Sequence, residues 1–246
     1  LNWGCIPSKS LLRNAEVLQL IKGAPEFGFS FDNLRVDFGV AIDRSRRVVS
    51  TLTKGIASLL KKNNVDIVYG HARFLDAHSL QISPSGNVVT ATNVIIATGA
   101  SARSIPGLEI NTPQVVTSRE ALGLREIPKR IVIIGGGPTG AEFAYLYNAY
   151  GGQVTIIEML PHLLPNEDEE ICQVLERSFV RQGINFLTNA KVNTAIKTNN
   201  DLELQVEHAG HVSTINTDTI LVATGVQANT ENIGLETIGV ALERGN

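Results

Sequence analysis

Sulfur is scarce in this chain. Its 246 residues include two cysteines and one methionine, and the cysteines, Cys5 and Cys172, stand far apart. That count excludes a disulfide framework and a cysteine-built metal centre. A basic excess is missing as well: 21 lysines and arginines face 24 acids, for a net charge of -3. Such a chain carries no broad positive field, so neither nucleic acid nor an anionic membrane is an expected partner. No apolar run has the length of a membrane span, and the start shows neither a methionine nor a signal-like stretch. What is present, 43% hydrophobic and 18% charged residues, is the composition of a globular protein with one large or two medium domains.

The first residues, LNWGCIPSKSLLRNAE, place Cys5 in the first turn of a predicted helix, with Lys9 four residues later. A helix N-terminus carries about half a unit of positive charge and Lys9 adds a full one, so both favour thiolate over thiol. The position suits a cysteine that reacts. The competing reading is a small buried hydrophobe, the common fate of a free cysteine. Cys172 lies in the helical stretch EEICQVLERSF and reads as core. The chain opens at Leu1 already inside this motif, which leads us to expect a fragment of a longer protein.

Leu11, Leu12, Ala15 and Leu18 fall at helical spacing, and a loop at residues 23–31 ends that helix. Phe38, Ile42, Val49, Leu52, Ile56 and Leu59 mark a longer helix, with Arg44, Arg46 and Arg47 off its apolar stripe and read as a solvated face. The period then changes to strands at residues 65–70, 79–83 and twice within 88–99, with a turn at 84–87. The second half ends the same way. Strands are predicted at 191–197, 202–207, 212–216 and 218–225, with turns at 199–201 and 209–210. NVIIATGA at residues 93–100 matches TILVATGV at 219–226. An apolar strand reaches Ala-Thr-Gly after a turn-rich meander both times, so we read a repeated unit.

The second copy shows how the unit begins. RIVII at 130–134 is a buried-strand run, followed by Gly135, Gly136, Gly137, Pro138, Thr139 and Gly140, and then by a helix opening Ala141-Glu142-Phe143. The glycines fit G-x-G-x-x-G, and the next strand, VTII, ends on Glu158. Glycines let the backbone approach a pyrophosphate, whose charge meets the helix N-terminus. Glu158 can accept a hydrogen bond from a ribose 2′-hydroxyl but repels a 2′-phosphate, which favours NAD over NADP. Counting back from Gly99 by the separation of Gly140 and Gly225 reaches Asn14, where no glycine cluster stands. The first copy's own loop is therefore expected upstream of residue 1.

LNWGCIPSKSLL, the two Ala-Thr-Gly strands and IVIIGGGPTGAEFA followed by VTIIE together resemble the pyridine nucleotide–disulfide oxidoreductases. Within them the nearest likeness is to the branch that oxidises dihydrolipoamide. The resemblance implies an FAD-binding first unit, an NAD-binding second unit and a redox disulfide in a C-x-x-x-x-C pattern. Cys5 matches the second cysteine of that pattern, and its partner is then expected just before Leu1. Lys9 matches the lysine beside the flavin and Glu142 the glutamate that pairs with it, giving Cys5, Lys9 and Glu142 the catalytic roles. Gly70, Thr98 and Gly99 match the edge of the FAD site. Residues 135–140 with Ala141, Glu142, Glu158, Val192 and Gly225 match the NAD site. Two departures stand out: Gly225-Val226-Gln227-Ala228-Asn229 where the family commonly has Gly-Arg-x-Pro-Asn, and Pro138-Thr139 within the glycine loop.

The expected architecture is α/β, with two tandem Rossmann-like FAD/NAD(P)-binding units, each with a β-meander. The FAD unit would cover 1–108, the NAD unit 109–226, and 227–246 would begin the return to the FAD domain. By the resemblance, the substrate is dihydrolipoamide on a lipoyl-carrying protein of a 2-oxo acid dehydrogenase or glycine cleavage complex. The full-length protein would be a homodimer in the cytoplasm, mitochondrial matrix or plastid, and the present chain alone would be inactive. The alternatives are another disulfide or metal-ion reductase of the family and a non-catalytic NAD-binding module, for which a thiolate beside Lys9 would serve no purpose. His208 and His211 flank a turn without a third ligand, so no metal is expected. Asn166 reads as a helix N-cap with Glu169 at the capping-box position.

Overall fold

The structure is a computed structural model that describes residues 1–105, 108, 110, 113–197 and 201–243. In chain order its elements are α1 (Cys5–Lys22), α2 (Phe38–Lys62), β1 (His71–Asp76), β2 (Ser79–Ser83), β3 (Val88–Thr90), β4 (Ala100–Ala102), β5 (Val115–Thr117) and α3 (Ser118–Ala121). There follow β6 (Arg130–Ile134), α4 (Pro138–Ala149), β7 (Gln153–Ile157), α5 (Glu169–Gln182), β8 (Asn185–Leu187), β9 (Ala190–Lys197), β10 (Leu202–His208), β11 (His211–Thr217), β12 (Thr219–Val222) and β13 (Val226–Ala228). They form two compact units, one from Leu1–Lys54 with Ser104–Gly225, the other from Gly55–Arg103 with the chain from Val226 on.

In the first unit a parallel sheet runs in the order β5-β12-β6-β7-β8. Its central strands are buried on both faces, which is why their sequences are unbroken apolar runs rather than alternating ones. Ile131 and Ile133 face one core with Leu11, Ala15, Phe38, Ile42, Ala144 and Tyr147, supplied by α1, α2 and α4. Val132 and Ile134, one residue out of step, face a second core with Leu202, Leu204 and Val206 of the antiparallel meander β11-β10-β9. The meander turns at Ala209 and Gly210, with His208 opposite His211. Within the expected turn at 199–201, Asn199 and Asn200 lie outside the described residues.

The second unit contains the antiparallel meander β1-β2-β3 and the pair β13-β4. The expected α/β class, with a meander in each half, is present. The packing boundaries differ from the segments 1–108, 109–226 and 227–246 read as nucleotide units. The reason is that α1 and the first half of α2 bury their apolar faces against the parallel-sheet core.

Two strand expectations fail. Residues 65–69 and 93–98 form no strand, and Ile67, Tyr69 and Ile95 are exposed, Ile95 to 91%. Strand propensity is satisfied only by a ladder partner, and none of the described strands pairs with either run.

Candidate functional site

β6 delivers the chain into the glycine loop at the C-terminal edge of the sheet. Gly135 has φ +108°, and a Cβ there would lie 2.4 Å from the Ala223 carbonyl oxygen, beyond the end of the neighbouring β12. At Gly140 a Cβ would lie 2.0 Å from the Gly135 oxygen, so only glycine lets α4 pack this close to the loop. Gly137 has open space where its Cβ would be. It is also the N-cap of α4, with Pro138 following and no side chain capping the turn. No side chain of the N-cap therefore takes up the backbone N–H groups of the first turn, the groups that bind anions at a helix N-terminus.

Glu158, immediately after β7, is 8% exposed. One carboxylate oxygen accepts from Gly136 N at 2.6 Å, the other from Leu160 N at 2.8 Å. Two backbone donors thus hold the Glu158 side chain against the glycine loop, and each oxygen keeps capacity for a ribose hydroxyl. The loop beyond it is fixed in turn, since Leu164 N donates to Gly136 O at 2.8 Å. The structure brings residues 135–140 and Glu158 together. Val192 sits in the ladder opposite Val206, packed against the second core, and Gly225 has φ +104°.

Cys5 is the first residue of α1 and is exposed, so its reading as a buried hydrophobe is overturned. Lys9 lies one turn on, at the spacing that shares a helix face. Its Nζ donates to Glu142 Oε1, and Glu142 stands in the first turns of α4, two residues after the last loop glycine. A surface pair of this kind adds little stability, about 0–1 kcal/mol. What it does is tie a thiol-bearing helix to the helix that follows the glycine loop. Cys172 is buried, its Sγ directed to Leu164 O at 3.3 Å. Burial, with Glu176 adding, pushes that thiol up, so it serves packing.

In the second unit Gly70 has φ +150°, with Ser83 O 2.6 Å from its Cβ position, and Gly99 has φ +77° with Asn229 Nδ2 3.8 Å from its Cβ position. Thr98 and Gly99 are tied to Asn229. Thr98 Oγ1 donates to Asn229 O at 2.7 Å, and Asn229 N donates to Gly99 O at 3.0 Å. Ser101 Oγ donates to Asn229 Oδ1 at 2.7 Å. Asn229 and Gly225 are the two ends of the segment whose inner residues depart from the resemblance.

Sequence reasoning missed two arginines. Arg44 and Arg46 are not a solvated face. Arg44 Nη1 donates to Ser10 Oγ at 3.0 Å and Asn14 Oδ1 at 2.8 Å, and Arg46 reaches Asn2 and Leu122. Their reach off the apolar stripe was the only signal. The cap of α5 is Asp168, whose carboxylate accepts from Glu170 N at 3.0 Å, rather than Asn166.

Comparison with known proteins adds the following. Residues 1–246 match the family described as pyridine nucleotide-disulphide oxidoreductase. A dihydrolipoyl dehydrogenase of Chlorobaculum tepidum is 42% identical over 99% of this chain and 53% of its own length. One from Mycobacterium leprae is 41% identical over 98% and 53%. Among solved structures, the HOCl-induced flavoprotein disulfide reductase RclA of Escherichia coli superposes with a TM-score of 0.82 at 30% identity, over 99% of this chain and 52% of that one. LpdA of Mycobacterium tuberculosis gives 0.87 at 25% identity, over 99% and 54%. The chain spans about half the length of the curated relatives it matches.

Proposed function

Because this chain belongs to the pyridine nucleotide-disulphide oxidoreductase family, we propose that it serves a flavoprotein of the dihydrolipoyl dehydrogenase type. Its reaction oxidises dihydrolipoamide and reduces NAD. The substrate's two thiols lose two electrons and two protons and close a disulfide, while NAD takes up a hydride and one proton is released. The ion pair between Lys9 and Glu142, which joins the Cys5 helix to the helix of the glycine loop, carries this reading.

Each residue then has a role at a stated atom. Cys5 Sγ is the flavin-side thiol of a redox pair: the substrate dithiol reduces that pair's disulfide by exchange, leaving Cys5 as the thiolate that passes the electrons on. Lys9 and Glu142 neutralise one another beside it. Gly137 and the uncapped first turn of α4 hold the pyrophosphate of NAD. Glu158 accepts from the ribose 2′-hydroxyl, and Val192 and Gly225 line the remainder of that site. FAD, when bound, supplies the two-electron relay between thiol and nicotinamide, and we assign Lys9, Gly70, Thr98 and Gly99 to its edge. The dithiol arrives on a lipoyl-carrying protein of a 2-oxo acid dehydrogenase or glycine cleavage complex, and the whole protein works as a homodimer.

The dinucleotide site is tested on the chain itself by titration with NADH and NADPH, followed by nucleotide fluorescence. NADH is expected to bind more tightly, and Glu158→Ala to weaken it by about 1.5–3 kcal/mol, the value of a hydrogen bond to a charged group. Equal binding of the two nucleotides would overturn the assignment. The substrate is tested with dihydrolipoamide, NAD and FAD on a chain extended to the length of the relatives. Turnover is expected there, and its absence with a glutathione or metal-ion substrate accepted instead would favour another reductase of the family.

A further inference from the structure

The segment entering α1 is held by a fixture of its own. Trp3 is the single tryptophan of the chain, and two guanidinium groups lie over its ring, Arg46 at 4.4 Å from the centroid and Arg119 at 5.0 Å. Arg46 also donates from Nη1 to the Asn2 carbonyl and from Nη2 to the Leu122 carbonyl, both at 2.9 Å. One planar fork therefore binds residue 2, lies over residue 3 and is anchored just past α3. A guanidinium can do both because it has a flat face for the ring and several donors in its plane, whereas an ammonium offers only a point charge.

α1 has little else at that end. Its N-cap is Gly4, which has no side chain to cap the helix, and its first turn holds no acid. Ser8 N donates to Gly4 O at 3.2 Å, and Ser8 Oγ to Cys5 O at 3.3 Å, both long contacts. Arg46, with Arg119 over the same ring, holds residues 2 and 3 just ahead of Cys5.

We propose that Arg46 is a positioning residue for Cys5. By fixing Asn2 and Trp3 it keeps the first turn of α1 closed, so that the turn's N–H groups converge on the thiol. Arg119 steadies the same ring. The inference rests on Cys5 being the reacting thiol of the proposed function, and it adds to that function the device that prepares the thiol.

The test uses the 246-residue chain and needs no turnover. Iodoacetamide alkylation is followed at neutral pH by peptide mass spectrometry, which reports Cys5 and Cys172 separately, and the emission of Trp3 reports the fixture. Arg46→Gln is expected to shift Trp3 emission to the red and to slow Cys5 alkylation about threefold, through loss of the helix-end environment that makes a thiol reactive. Trp3→Phe keeps a ring under the guanidiniums and should keep the wild-type rate, while Trp3→Leu should slow the reaction as Arg46→Gln does. Should Arg46→Gln fail to fold, the two Trp3 variants decide the matter. An unshifted emission in Arg46→Gln, or a shifted emission with an unchanged rate, would overturn the proposal, as would a full rate in Trp3→Leu. A wild-type Cys5 no faster than free cysteine would instead overturn the functional reading on which it rests.

Discussion

Arg130, the first residue of β6, closes the seam between the parallel sheet and its meander. Its backbone N–H donates to Asp218 Oδ2 at 2.8 Å, while its guanidinium holds Asp218 Oδ1 at 2.5 Å and Asp201 Oδ1 at 2.7 Å. The Arg130 guanidinium, chiefly through its hydrogen bond, keeps the Asp218 carboxyl below the usual carboxylate range, and the Arg130 backbone N–H helps against some desolvation. A carboxyl depressed on folding stabilises the fold fully above its unfolded value of about 3.9, and that stabilisation is lost as pH falls through the lower folded value. Urea unfolding between neutral pH and about pH 3 should therefore show a descending acid limb. Asp218→Asn is expected to lower stability at neutral pH and to flatten that limb. An acid limb of unchanged steepness in the variant would show that other carboxylates govern it.

At the scale of elements, the tightest constraint is the approach of α4 to the glycine loop. Gly140→Ala would put a methyl group 2.0 Å from the Gly135 oxygen, and backbone cannot yield as a flexible side chain can. An overpacking loss of about 2–3 kcal/mol is expected, read as a lower urea midpoint together with weakened NADH binding. The same steric necessity explains what was legible in the sequence. Residues 130–158 could be read because a strand buried on both faces writes an unbroken apolar run, and because the glycines and Glu158 answer fixed geometric demands. Residues 65–69 and 93–98 are also rich in valine and isoleucine, yet propensity says nothing of who pairs with whom. The cap of α5 was misplaced by two residues, since Asn166 and Asp168 both cap well and only the path of the loop selects between them. Arg46 was illegible for a different reason. Its partners lie 44 and 76 residues away in the chain, beyond any local pattern.

For the molecule as a whole, family membership and the two-unit packing describe different divisions of one chain. Among the described residues no helix is long and apolar enough to cross a membrane. In the second unit, Tyr69 is 86% exposed and ends a run without ladder hydrogen bonds. Proteases need several residues of unpaired backbone, so chymotrypsin at low ratio is expected to cut after Tyr69 and in the loop holding Phe29 and Phe31 well before Tyr147, which is fully buried. First cleavage within β6 or α4 would contradict this distribution of order. The open runs at 65–69 and 93–98 also have a colloidal consequence. Short exposed apolar stretches outside any ladder adhere to their like, and a net charge of -3 spread over the whole chain repels too weakly to keep them apart. Those two stretches are expected to lower the concentration at which the chain stays dispersed, read as light scattering that rises with protein concentration.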